Sequence, residues 1–168
     1  VLVVLDIQEK LYPSIHEKEL LELNAGRLIR AAGVLGVPIV VTEQYPSGIG
    51  PTLPSLVDAL GDHYKPIEKT SFSCWLAPGF RKALSGLGRE QVLITGMEAH
   101  VCVEENYQVH IASDAVSSRT ARNRDVGLGK MRDHGSVITS TESAIFELLE
   151  YSGTGQFREL LPMLKEMM

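Results

Sequence analysis

The chain has 168 residues, 44% of them apolar, which suffices to bury one sizeable core at a length usual for a single domain spanning 1–168. A formal charge of −5 comes from 21 acidic and 16 basic side chains scattered along the chain, with no lysine- or arginine-rich block to track a phosphate backbone, so nucleic acid is not an expected partner. Apolar runs such as VLVVL and VPIVV stop at about five residues, far short of the roughly 20 that cross a bilayer, so no membrane span is predicted.

VLVVLD opens the chain as a continuous β-branched and leucine run, the pattern of a strand covered on both faces in a parallel sheet. From Glu17 to Gly36, Leu21, Leu28, Ile29, Ala32 and Leu35 recur at helical spacing, and Gly36 with Pro38 closes that amphipathic helix before a second strand, PIVVTE. YKPIEK reads as a weaker strand. PGFRKALSGLG is a short helix leading to a strong strand, QVLITG, and YQVHIASDA is another. RDVGLGKMRDHG is predicted helical before a short strand, SVIT. STESAIFELLE then opens with Ser140 as N-cap, and GQFRELLPMLKEMM closes the chain as a helix despite Pro162. This alternation predicts a doubly wound, Rossmann-like α/β three-layer sandwich on a mostly parallel six-stranded sheet.

In such sheets ligands bind where loops leave the carboxyl ends of the strands, near the point where strand order reverses. The residues just past each strand are therefore the candidates. Asp6 ends a wholly apolar strand, where a carboxylate is costly unless a positive or hydrogen-bonding group meets it. Lys69 ends the third strand, in IEKTSFSCW, and can bring its ammonium to the same rim. Cys102 follows the fourth strand by six residues, where a strand-to-helix transition would aim backbone N–H groups at whatever a thiol attacks. An ordinary thiol near pKa ~8.5 is mostly protonated at neutral pH; a nearby ammonium lowers that value and a carboxylate can take the proton. A lone cysteine in an apolar α/β chain also reads as a small core residue, and spacing alone does not choose.

VLDIQ, KTSFSCW and TGMEAHVCV, in this order and at these intervals, resemble the aspartate, lysine and cysteine motifs of the isochorismatase-like cysteine hydrolases, a superfamily that includes nicotinamidases and carbamoylsarcosine amidohydrolase. The likeness continues through SDAVSSR and STESAIFELL, and VTEQYPSGIGPT is similar to the branch whose substrates are poorly defined. The resemblance implies that Cys102 attacks, that Asp6 takes and returns the proton, and that Lys69 lowers the thiol pKa and orients the pair. It further implies a cis peptide between Met97 and Glu98, with the backbone N–H groups of Glu98 and Cys102 as oxyanion hole, and assembly as a homo-oligomer. Nicotinamidases carry a metal-binding Asp-x-His-x-x-His after the second strand; here that loop, TEQYPSGIGP, has no histidine, so neither a metal nor a cofactor is expected. Isochorismatases proper lack the thiol, which makes acyl transfer to sulfur, hence hydrolysis of a small amide, carbamoyl or related compound, the expected reaction. The alternatives are a catalytically idle protein that kept the fold and a redox-responsive thiol protein built on Cys102 and Cys74.

Gln8 is expected to line the substrate pocket, and Trp75 belongs either there or, like Phe72, in the core. His16, His63, His100, His110 and His134 have no metal-ligand spacing, and four of them read as surface or strand-end residues. Cys74 reads as a buried hydrophobe, and GIGPTLP as a shaped loop over the site. Two cysteines are too few for a disulfide framework and fit a reduced, cytoplasmic setting, an organellar one being left open. The chain starts inside an apolar run without an initiator Met, which leaves room for a missing or removed N-terminal piece. Finally, about ten residues separate Gly96 from Tyr107, where a parallel crossover ordinarily takes a dozen or more, so a stretch of about 8–10 residues is expected to be absent between Cys102 and Tyr107.

Overall fold

The structure is a computed structural model that describes residues 1–97 and 107–167. Six strands form its sheet: β1 (Leu2–Leu5), β2 (Ile39–Gln44), β3 (Ile67–Lys69), β4 (Gln91–Met97), β5 (Gln108–Ser117) and β6 (Val137–Thr139). Their order is β3-β2-β1-β4-β5-β6, and every paired neighbour runs parallel. The sheet is thus wholly parallel where a mostly parallel one was expected.

Chain direction places the switch point between β1 and β4: the chain steps outward from β1 to β2 and β3, then returns to lay β4 on the other side of β1. β1 is consequently the most enclosed strand, and each of its four side chains is buried. Alternation then divides its residues between two cores. Leu2 and Val4 join the layer of α1 (Lys18–Leu35), α3 (Pro54–Leu60), α6 (Thr141–Leu149) and α7 (Gly155–Lys165); Val3 and Leu5 join that of α4 (Pro78–Gly86) and α5 (Ala121–Asp133).

The helices form where their caps and spacing direct. Along α1 the residues Leu21, Ala25, Leu28, Ile29 and Ala32 make one buried stripe, and Gly36 ends it at φ 64, with the N–H of Val37 donating back to the Ala32 carbonyl. Thr120, Ser140 and Thr154 each accept the backbone N–H three residues on, capping α5, α6 and α7. Leu160 and Leu164 of α7 are buried, so this helix packs into the first core.

Two expectations change. The segment read as a loop after β2 contains α2 (Pro46–Ile49), and its last residue, Pro54, opens the two-turn α3, a proline standing in the first turn of each. His110, expected as a surface or strand-end residue, lies inside β5 with its Nε2 buried and, among the described residues, without a hydrogen-bond partner.

Candidate active site

Asp6 and Lys69 sit at the carboxyl ends of β1 and β3 with β2 between them, two strand spacings or about 10 Å apart. Only a long side chain crosses that gap, and the lysine does: Nζ lies 2.5 Å from Asp6 Oδ2. The ammonium end is almost sealed, at 1% side-chain exposure, whereas the Asp6 side chain keeps 15% and is the member of the pair that faces solvent.

β2, the strand crossed, supplies the rest. Period-2 alternation puts Thr42 and Gln44 on one face and Glu43 on the other. The Thr42 hydroxyl donates to Asp6 Oδ1 at 2.6 Å, and Gln44 Oε1 accepts from Lys69 Nζ at 2.7 Å. Both carboxylate oxygens of Asp6 are thereby engaged, one by a hydroxyl and one by the ammonium, which also lies 3.5 Å from the Ser71 carbonyl oxygen. Such partners are what a buried ion pair requires to offset its desolvation. Asp6 itself has φ 50, a left-handed conformation that aspartate tolerates better than most residues but still at a cost.

Beneath this pair lies a second polar layer. Gln8, expected at the pocket wall, is completely buried: its Nε2 donates to the carbonyls of Gln44 and Gly50, and its Oε1 accepts from the Gln44 N–H. It ties the end of β2 to the loop around Gly50 and has no atom left for a ligand. Glu43 Oε1 accepts from the backbone N–H and hydroxyl of Thr52 and from the Tyr64 hydroxyl at 2.7 Å. Burial first, and then the hydrogen bond to Glu43, push the Tyr64 hydroxyl above its ordinary pKa.

Trp75 also falls away from the ion pair. It meets Phe80 and Tyr107 edge-on, at centroid distances of 6.5 and 6.0 Å, against the second core. Cys74 is buried as expected, its sulfur 3.9 Å from the Thr42 hydroxyl. Phe72, by contrast, is 81% exposed and is no part of the core. Cys102, Glu98, the Met97–Glu98 peptide, His100 and the expected gap before Tyr107 all lie outside the described residues. Among the described residues no cluster of histidine, cysteine, aspartate or glutamate is arranged to hold a metal ion. A cavity of about 250 Å³ opens at the amino ends of the strands, lined by Leu2, Leu28, Leu93, His110 and Leu148 among others, at the opposite end of the sheet from Asp6 and Lys69.

Sequence reasoning brought Asp6 and Lys69 to one place and missed Thr42 and Gln44. The available signal was the end of β2, where an apolar strand closes on three polar residues, Thr42, Glu43 and Gln44, of which alternation sends the first and third to one face.

Comparison with known proteins bears on this geometry. The model of the isochorismatase domain matches residues 1–143. Isochorismatase domain-containing protein 2A of Mus musculus is 38% identical over 175 aligned positions, covering 99% of this chain and 82% of the mouse protein. Among solved structures, MAR1 ribonuclease from Caenorhabditis elegans superposes with a TM-score of 0.87 at 36% identity, over 96% of this chain and 86% of that one. The YcaC gene product of Escherichia coli, described as an octameric hydrolase of unknown specificity, shares the fold at a TM-score of 0.77 and 19% identity, over 100% of this chain and 94% of its own.

Proposed function

The chain belongs to the isochorismatase-domain family, and from that premise we propose that it is a cysteine hydrolase of small amides, carbamoyl compounds or related acyl compounds, with Asp6, Lys69 and Cys102 as its catalytic residues. One observation carries the reading: a nearly sealed lysine ammonium is paired with a partly exposed carboxylate at the switch point of a parallel sheet. A carboxylate held at the rim by a sealed ammonium is placed to exchange a proton with a thiol or water that reaches the site.

In this reaction the Cys102 thiol gives its proton to Asp6, and the sulfur forms a bond to the carbonyl carbon of the substrate. The oxyanion that develops is met by the backbone N–H groups of Glu98 and Cys102. As the C–N bond breaks, Asp6 returns the proton to the departing nitrogen. Water, deprotonated by Asp6, then attacks the thioester, and the sulfur leaves to take back its proton. Lys69 keeps its positive charge throughout, favouring the thiolate and holding Asp6 in place. Gln8 supports the site from below, and Trp75 shapes the second core beside it. The reaction uses neither metal nor cofactor.

A screen of small amides for ammonia release tests the proposal. Cys102→Ala is expected to abolish turnover and the acyl adduct detected by mass spectrometry, while Asp6→Asn and Lys69→Met each lower turnover by two or more orders of magnitude in folded protein. Full turnover in Cys102→Ala would overturn the reading. Activity is also expected to survive a chelator; loss of activity together with a stoichiometric metal would sink that part.

The ribonuclease description of the C. elegans relative offers a second reading, and RNA belongs in the same screen, but a net charge of −5 without a basic stripe argues against it. We further propose a single domain over 1–168, a cytoplasmic location and assembly as a homo-oligomer, the last supported by the octamer described for E. coli YcaC. Light scattering during gel filtration measures the assembly, and a monomeric mass would remove it. No helix among the described residues is long and apolar enough to cross a membrane.

A further inference from the structure

Gln44 holds the ion pair from a side that neither charged partner supplies. It stands opposite Lys69 in the β2–β3 register, so the lysine chain must pass over it to reach Asp6. Its side-chain Nε2 donates to the Thr70 carbonyl at 2.9 Å while its Oε1 accepts from Lys69 Nζ at 2.7 Å. A carbonyl oxygen only accepts and an ammonium only donates, so these two partners fix which way round the amide lies. The main chain is fixed as well: the Gln44 N–H donates to Gln8 Oε1 at 2.7 Å, and its carbonyl accepts from Gln8 Nε2 at 3.0 Å. Gln44 is 9% exposed and has no slack in either direction.

Glutamate is nearly isosteric and would grip an ammonium harder. It would also set a second carboxylate on Lys69 and an anion against the Thr70 carbonyl oxygen, where a donor now sits. Among the described residues, the charged and titratable groups around this point are Asp6 from β1, Lys69 from β3, and the Cys74 thiol behind Thr42. Glu43 is turned to the opposite face of β2 with Tyr64, Glu68 of β3 is exposed, and Glu9 and Lys10 lie at the loop around Gly48 and Gly50.

We infer that Gln44 is a positioning residue for the proposed acyl transfer: as a neutral acceptor it holds the Lys69 ammonium against Asp6 without cancelling its charge, which stays available to make the nucleophilic thiol more acidic. The inference rests on the Asp6–Lys69–Cys102 reading, and its test separates the two. The rate of Cys102 alkylation by iodoacetamide is followed from pH 5 to 10 in wild type, Gln44→Glu and Gln44→Met, with Cys102→Ala as the background for Cys74.

Wild type is expected to inflect well below the ordinary thiol value of about 8.5. In Gln44→Glu the inflection rises by about one pH unit, so that labelling at pH 6.5 slows roughly tenfold. Gln44→Met, neutral but unable to accept, slows it about threefold, because the ammonium is held in fewer orientations. A wild-type thiol that titrates at its ordinary value overturns the triad and this inference together. An activated wild-type thiol with a Gln44→Glu profile that superposes on it overturns the inference alone, as does a Gln44→Met variant slowed as much as Gln44→Glu. Circular dichroism monitors folding, and should Gln44→Glu fail to fold, wild-type labelling by Gln44→Met is sufficient to reject the positioning role.

Discussion

Gln8 and Asp6 are two positions apart in sequence and do opposite things. Asp6 keeps part of its surface in water, while Gln8 is sealed and spends its amide on backbone groups of residues 44 and 50. Nearness to a catalytic motif carried no information about depth, which is why Gln8 was read as pocket lining. Removing its side chain orphans two buried carbonyls and an N–H, so Gln8→Ala is expected to cost about 2–4 kcal/mol, read from the urea midpoint. Tyr64 offers a pH-dependent counterpart. Its neutral hydroxyl donates to Glu43 and its folded pKa is raised, so the stabilisation is complete below the unfolded value near 10 and is lost as pH climbs through the folded value above it. Tyr64→Phe is expected to be less stable than wild type by about 1 kcal/mol up to roughly pH 10, with the difference shrinking beyond. A difference that grows in alkali would contradict the assignment.

Among the elements, the long periodic ones were legible and the short ones with breakers were not. VLVVL and QVLITG are apolar on both parities and became the adjacent strands β1 and β4; the stripe in α1 and the Ser140 cap of α6 emerged as read. The stretch after β2 holds Pro46, Gly48, Gly50, Pro51 and Pro54, a density that reads as loop, yet proline at the first helical position starts a helix by presetting φ. β3 begins at Ile67, three residues later than Tyr64, directly after Pro66, which has no N–H to give a ladder. Gly96 lies close against β1: it has φ 146 at an irregularity in the β4–β5 register, and a Cβ there would lie 2.3 Å from the Leu5 carbonyl oxygen. Backbone cannot yield as a flexible side chain would, so Gly96→Ala is expected to leave little soluble protein or to cost at least about 3 kcal/mol. The connection from β4 to β5 raises a question of length. The alignment to the mouse relative runs over 175 positions against 168 residues, so at least seven aligned positions, at some place along the chain, have no counterpart in it. Intact mass and the coding sequence across 102–107 are expected to reveal about 8–10 additional residues, as the crossover rule requires; a coding sequence identical to the present one would retire that expectation.

For the whole molecule, alternation of strands and helices sufficed to predict the doubly wound sheet, because strands apolar on both faces need helices on both sides and right-handed crossovers put them there. The residue contacts that turn this sheet into a site were less legible. They join strands distant in sequence, as when Lys69 meets Asp6 63 residues away, and their partners depend on strand order, which a single sequence does not print.

The ion pair that β2 supports has a consequence for how the molecule trades endurance for reactivity. Asp6 occupies a left-handed backbone, and Lys69 is a charge taken almost wholly out of water. The Asp6 carboxylate offsets the cost of burying the Lys69 charge, while the backbone strain at Asp6 is borne by the rest of the fold. Asp6→Asn alone strands the ammonium and is expected to lower stability by about 3–5 kcal/mol. Adding Lys69→Met to it removes the stranded charge and puts an apolar chain of similar length in its place. The double variant is therefore expected to recover most or all of the loss and to melt within a few degrees of wild type or above it, a strong departure from additivity measurable by calorimetry. Each inactivating change would then be harmful singly and tolerable jointly, so a lineage released from the need for catalysis could lose the pair only by passing through a less stable intermediate.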